Sequence, residues 1–313
     1  MKQYSYYMGF DVGGTKFAVS VGRVDENGVT VVERQEVPTM SEPKDTLERF
    51  ANYISTWKDR YKIRFAGISC GGPLDSNTGV IISTPNLPKP WHGFPIVQYV
   101  RKKFGLESAL ENDANACAVA EWRFGAGRGT KNMIFMTFGT GLGAGLILDG
   151  KLYSGTNGNA GEVGHLRLAK SGPVGYNKVG SAEGFCSGNG IRNLALLRAK
   201  EQGVELPESI TTKEIFARTY NGDKFCESIV RESSERFGEV VSLLIDLFNP
   251  EVVTAGGVFM RNYDLIMRYA LPIIEGESLG ESRSVCKILP AEIGENVGDF
   301  AAIAIAVGLD GRD

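Results

Sequence analysis

The chain runs through one strand-and-turn pattern twice, and that repetition constrains its fold more than anything else in the sequence. Residues 5–12 (SYYMGFDV) read as a strand, Gly13 and Gly14 break it, and 16–23 reads as a second strand. Asp25-Glu26-Asn27-Gly28 is a hairpin signal, and 29–37 gives a third strand. Roughly 125 residues later the order returns: strand 133–138, turn Gly139-Thr140-Gly141, strand 142–148, hairpin Asp149-Gly150, strand 151–154. The chain has 40 glycines, more than a core needs, and they gather at such turns. Helical periodicity fills the intervals at 44–61, 96–104, 115–124 and 223–248, the last stopped by Asn249-Pro250. A short buried strand, 252–255, ends in Gly256-Gly257, and a final helix spans 299–309. Strands alternating with helices around a duplicated unit predict an α/β protein of two similar lobes with a central cleft. The expected division is a small lobe of 1–113 with 298–313, and a larger lobe of 114–297.

Composition excludes several classes of function. A net charge of −3 offers no field to hold nucleic acid, and the densest basic run, Arg101-Lys102-Lys103, reads as a solvated helix face. The five cysteines (Cys70, Cys117, Cys186, Cys226, Cys286) are odd in number and fall in no metal-ligand or CxxC spacing. They predict free thiols in a reducing, cytoplasmic setting. The N-terminus is too polar for a signal peptide. The longest uncharged run, 132–148, holds four glycines and reads as two strands around a turn, not a membrane span. No nucleic-acid or membrane partner is expected.

Three groups of residues suggest chemistry. In Asp11-Val12-Gly13-Gly14-Thr15-Lys16 the glycines let backbone approach phosphate oxygens, Thr15 adds a hydroxyl and Lys16 a charge. Asp11 is a candidate for Mg²⁺, held through water. The plainer reading is a tight hairpin needing positive φ. Gly139-Thr140-Gly141 is the counterpart in the second unit, and neither turn is a Walker A or GxGxxG motif. Glu111-Asn112-Asp113 ends a strand and opens a helix, so Asp113 reads either as a helix cap or as a carboxylate poised over a substrate hydroxyl. Glu162 and His165, in Gly161-Glu162-Val163-Gly164-His165, and Glu183, flanked by Gly180 and Gly184, read as hydrogen-bonding groups for hydroxyls. Glycines around them imply backbone packed closely against something.

In order, DVGGTK (11–16), GGPLD (71–75), TPNL with Trp91 (84–91), ENDANA (111–116), GTGLGAGLILDGKLYSG (139–155), AGEVGH (160–165) and NPEVVTAGG (249–257) resemble the ROK family of bacterial sugar kinases and repressors. The resemblance implies the actin/hexokinase-like fold of two ribonuclease-H-like lobes, and ATP with Mg²⁺ as cofactors. It implies Asp113 as catalytic base, and Gly72, Asn86, Asn112, Asp113, Glu162, His165 and Glu183 around the sugar. It implies Gly13, Gly14, Thr15, Lys16, Gly139, Thr140 and Gly141 at the phosphates, with Gly256 and Gly257 against adenosine. One departure stands out. Many members carry a cysteine cluster that binds structural zinc with the motif histidine, whereas 174–183 here reads VGYNKVGSAE. The Glu is kept and the cysteines are missing, so no zinc is expected and His165 is left for the sugar.

The activity implied is hexose phosphorylation, with glucose first and another hexose, an N-acetylhexosamine or a β-glucoside as alternatives. A homodimer is expected. The rival of another class is a sugar-responsive repressor of the same family; it is not expected, because those members carry a helix-turn-helix ahead of the kinase-like body and the phosphate motif here begins at Asp11. An actin- or chaperone-like ATPase would share the phosphate turns but not the ENDANA and GEVGH pair.

Overall fold

The computed structural model describes residues 4–26, 28–294 and 297–311; Asn27, in the expected hairpin turn, lies outside them. In chain order the elements are β1 (Ser5–Val12), β2 (Lys16–Asp25), β3 (Gly28–Pro38), α1 (Pro43–Glu48), α2 (Ala51–Tyr61), β4 (Phe65–Cys70), a small hairpin of β5 (Leu74–Asp75) and β6 (Val80–Ile81), α3 (Ile96–Phe104), β7 (Glu107–Asn112) and α4 (Asp113–Phe124). They continue with β8 (Met133–Phe138), β9 (Leu142–Leu148), β10 (Lys151–Tyr153), β11 (Val174–Gly175), β12 (Lys178–Val179), α5 (Ala182–Cys186), α6 (Gly188–Gln202), α7 (Thr212–Tyr220) and α8 (Lys224–Phe248). The last are β13 (Val252–Ala255), α9 (Gly257–Arg261), α10 (Tyr263–Glu277), α11 (Gly280–Val285), β14 (Lys287–Pro290) and α12 (Val297–Leu309).

The chain divides into two compact units, Met1–Gly129 with Leu152–Ala160 and Glu295–Asp313, and Thr130–Lys151 with Gly161–Gly294. The division falls after Gly129 and not at the expected 113/114, because α4 packs against α12 and belongs with the sheet that α12 covers. The first sheet has the order β3-β2-β1-β4-β7, and the second β10-β9-β8-β13-β14. In each, a meander is followed by parallel strands: β1 pairs antiparallel with β2 and parallel with β4, and β8 pairs antiparallel with β9 and parallel with β13. The duplication read from glycine placement is thus a duplication of topology.

In the first unit β1 is buried on both faces. Met8, Phe10 and Val12 join Phe17, Phe50 and Trp91 in the larger core, while Tyr7 meets Ile303, Ala306 and Val307 of α12. Close approach of α12 depends on small residues: a Cβ on Gly67 would lie 1.9 Å from the Ala302 carbonyl oxygen. The expected helix 44–61 is two helices, since the chain turns at Arg49-Phe50 and sends Phe50 into the core, 5.3 Å ring to ring from Phe17. In the second unit α8 lies along the core, with Phe237 between Phe138 (5.6 Å) and Phe259 (5.0 Å). Asp223 caps α8 by accepting from Cys226 N (3.0 Å), and Asn249 ends it at φ 45°. All five cysteines are buried and free. Burial pushes the Cys70 thiol up to about 12, where it is unreactive. Among the described residues no helix is long and apolar enough to cross a membrane.

Candidate functional site

The predicted residues fall into two sets, one in each unit. In the first unit Asp11 ends β1 and the turn to β2 follows. Gly13 N donates to Lys16 O (3.0 Å), closing the turn. Neither Gly13 nor Gly14 has positive φ, so the hairpin does not need glycine for its conformation. It needs room: a Cβ on Gly14 would sit 2.2 Å from the Asn86 carbonyl oxygen. This contact brings the predicted Asn86 against the predicted phosphate turn. Thr15 is exposed, and the Lys16 ammonium pairs with Glu36 at 2.7 Å.

Asp11 is half-buried, and its carboxyl is raised to about 6 by burial, then by the charges of Asp299 and Asp113, against a lowering by Arg34. Asp299, which the sequence marks only as the start of the last helix, belongs to the same cluster. It is buried; one oxygen accepts from Arg34 Nε at 2.7 Å, and the other, Oδ1, is buried with no hydrogen-bond partner. Gly298 beside it lies against Asp11: a Cβ there would fall 2.3 Å from the Asp11 carboxylate, which would have to shift.

The cap of α4 is Asn112, not Asp113. Asn112 Oδ1 accepts from Ala114 N (3.0 Å) and Asn115 N (3.4 Å), from an extended backbone at φ −60°, ψ 144°. Asp113 is the first helical residue, and its Oδ1 accepts from Ala114 N at 2.8 Å. The residue is exposed, but it stands among enough surrounding protein that desolvation of its charged form raises its pKa; backbone N–H bonds from Ala114 and Asp113 itself lower it less. Gly71 and Gly72 lie alongside, where a Cβ on Gly71 would be 3.8 Å from Asp113 Oδ2 and one on Gly72 3.4 Å from Asn112 Nδ2. Gly72, Asn112 and Asp113 are therefore one cluster.

In the second unit the turn Gly139-Thr140-Gly141 is held from three sides. Gly188 N donates to Gly139 O (2.7 Å), Asn189 N to Thr140 O (3.4 Å), and Glu183 accepts from Leu142 N (3.2 Å). Gly257 adopts φ 60°, and a Cβ on it would lie 2.2 Å from Phe138 O. Beyond Gly257 opens a cavity of about 530 Å³ between α7 and α9, whose walls include Thr212, Phe216, Tyr220, Val258, Arg261 and Asn262. Thr212 Oγ1 donates to Gly188 O, so turn, Gly188, Gly257 and cavity are contiguous. The sequence reading reached Gly256 and Gly257 but missed this cavity; the available signal was the Thr211–Glu214 capping box opening a helix with two aromatics on it.

Glu162 and His165 sit on a short 3-10 turn, Val163–His165. The glycines around them do mark close approach: Cβ atoms on Gly161 and Gly164 would meet the carbonyl oxygens of Ala144 and Leu142 at 2.1 and 2.2 Å, both on β9. The stretch that replaces the family's cysteine cluster forms the hairpin β11–β12. There Lys178 Nζ lies 3.0 Å from His165 Nδ1 and donates to His165 O at 2.7 Å. Zinc does not fit this donor set: no thiolate is present, and an ammonium already faces the imidazole nitrogen.

This strand order, twice over, is the actin/hexokinase-like fold. It is shared with the ROK hexokinase from Thermus thermophilus, 27% identical with a TM-score of 0.81 over 98% of this chain and 100% of that one. It is also shared with a ROK family glucokinase from Streptomyces griseus solved with glucose and AMPPNP, 28% identical with a TM-score of 0.74 over 98% and 100%. The chain belongs to the ROK family, which it matches over residues 7–308. The glucokinase of Thermotoga maritima is 32% identical over 269 residues, 83% of this chain and 84% of that protein.

Proposed function

We propose that the chain is an ATP-dependent sugar kinase that transfers the γ-phosphate to a hexose hydroxyl, with glucose as the first substrate to test. The observation that carries the reading is the placement of Asp113: an exposed first-turn carboxylate that the helix does not need as its cap, facing the Gly71 backbone, with its charged form desolvated by the protein packed round it so that its pKa is raised. Accessible and perturbed together mark a group placed to act, not to pack. Asp113 would accept the hydroxyl proton as phosphoryl transfer proceeds, with Asn112, Gly72 and Asn86 beside the same sugar. Glu162, His165 and Glu183 are the further residues we assign to sugar hydroxyls.

For the donor, the Gly139–Gly141 turn with Thr140 would take phosphate oxygens, as would Gly13, Gly14, Thr15 and Lys16. The cavity beyond Gly256 and Gly257 has the size and mixed walls of a nucleoside site, with Phe216 and Tyr220 as its aromatic side chains. Mg²⁺ fits Asp11 with Asp299 beside it, because a divalent cation would offset the raised Asp11 carboxyl and give Asp299 Oδ1 a partner. Such an ion neutralises charge on the transferring phosphate. The reading includes a cytoplasmic setting, supported by five buried free cysteines, and a homodimer.

The test is ADP release measured over a panel of hexoses, N-acetylhexosamines and β-glucosides, with ATP as donor and polyphosphate as comparison. Glucose or another hexose should give sugar-dependent ADP. A panel in which no sugar raises ADP release above ATP alone would end the kinase reading.

A further inference from the structure

The β11–β12 hairpin is two residues per strand and turns through Tyr176 and Asn177, at φ 55° and 57°. Two consecutive left-handed residues suit asparagine and glycine; a tyrosine there is strained. Strain of this kind persists where the surroundings hold it for a purpose. One side of the hairpin is seated on α5: Ser181 Oγ donates to Gly175 O (2.8 Å), and a Cβ on Gly175 would meet Gly184 N at 2.3 Å. The other side meets the Glu162–His165 turn. The Tyr176 ring stands edge-on to His165, centroids 5.3 Å apart at 80°, and the nearby Glu162 charge raises the pKa of its hydroxyl. Lys178 Nζ holds both His165 O and His165 Nδ1.

An ammonium has three donors and no acceptor. The Nδ1 that faces it must present a lone pair, so the neutral imidazole carries its proton on Nε2. We propose that Lys178 is a positioning and specificity-determining residue that fixes His165 as an Nε2–H donor beside the acceptor carboxylate of Glu162. The pair then reads a substrate offering one hydroxyl oxygen that accepts and a second hydroxyl that donates. This rests on the sugar-kinase reading for its substrate, but the imidazole's state does not. Tyr176, edge-on to the imidazole, packs against the same turn.

The chain has only two histidines, so long-range ¹⁵N–¹H spectra of the imidazoles at alkaline pH are simple to assign with a His92→Gln variant. His92, whose Nε2 lies 3.2 Å from Thr84 O, serves as a fold control in the Lys178→Met protein, where its signals should not move. Wild-type His165 should show the Nε2–H pattern, and Lys178→Met should convert it to a mixture of tautomers. The same variant should raise the sugar KM about tenfold, the loss of roughly one charge-assisted hydrogen bond, while the ATP KM stays where it was. An Nδ1–H wild-type spectrum, a His165 spectrum indifferent to Lys178→Met, or an unchanged sugar KM overturns the proposal. If no sugar is phosphorylated, the kinase reading fails and the spectra alone decide the role of Lys178.

Discussion

Replacing Asp113 by asparagine separates a working carboxylate from a helix cap. The substitution keeps an oxygen where Asp113 Oδ1 receives Ala114 N at 2.8 Å, and it leaves the true cap, Asn112 Oδ1, untouched at 3.0 Å. Nothing structural is removed except the charge. The surroundings raise the Asp113 pKa in the folded protein, so the native state binds its proton more tightly than the unfolded chain does. Ionising it therefore costs stability above the unfolded pKa, fully so once pH exceeds the folded value. Because the side chain is open to water the cost is small, and Asp113→Asn should match the wild-type melting temperature or slightly exceed it at neutral pH. Activity should move the other way. Loss of a general base removes about 10²–10⁴-fold in kcat, which is about 3–5 kcal/mol of barrier. The assay pair is a thermal melt and a coupled ADP-release rate at saturating ATP and sugar. Asn112→Ala is the contrast: loss of the cap should lower stability by about 1 kcal/mol. An Asp113→Asn protein that keeps more than about a tenth of kcat, or that loses stability in step with its activity, would refute the argument.

Thr140→Ala should raise the KM for ATP more than that for sugar, because the Thr140 side chain is exposed at the tip of the second glycine turn; equal losses for both substrates would remove it from the phosphate site. Gly257→Ala should raise the ATP KM and lower the melting temperature. Its φ of 60° costs an alanine about 1–2 kcal/mol, and the new methyl, 2.2 Å from Phe138 O, must push the turn aside; titrating ATP against the variant and finding wild-type affinity would contradict a nucleotide site beyond Gly257.

Much of the fold could be read along the chain because its punctuation is local. β1, β8, β9, α3 and β13 have the bounds expected from Gly-Gly, Gly-Thr-Gly and Asx-Gly breaks and from Asn249-Pro250. The topology followed because the same punctuation occurs twice. What stayed hidden depends on residues far apart in sequence. Phe216 and Tyr220 look like any helical aromatics until α9, some 40 residues on, closes the cavity over them. Asp299 resembles an ordinary first-turn acid until Gly298 sets it against Asp11 from the other end of the chain. Lys178 reads as a solvated lysine until the hairpin folds it onto His165.

Asn112 and Asp113 show where local chemistry gives two answers. Both side chains can cap a helix, and the sequence offers no means to choose between neighbours. The backbone chooses: Asn112 is the last extended residue and Asp113 the first helical one, so the cap falls to the amide. A carboxylate one position further on adds only a bond to Ala114 N that the cap already serves, and its charge is disfavoured where it stands. Helix formation therefore does not account for Asp113. Its accessibility, its raised pKa and the bare Gly71 backbone facing it are what a base needs if a hydroxyl is to lie against it, and the Asp113→Asn pair of measurements tests that need directly.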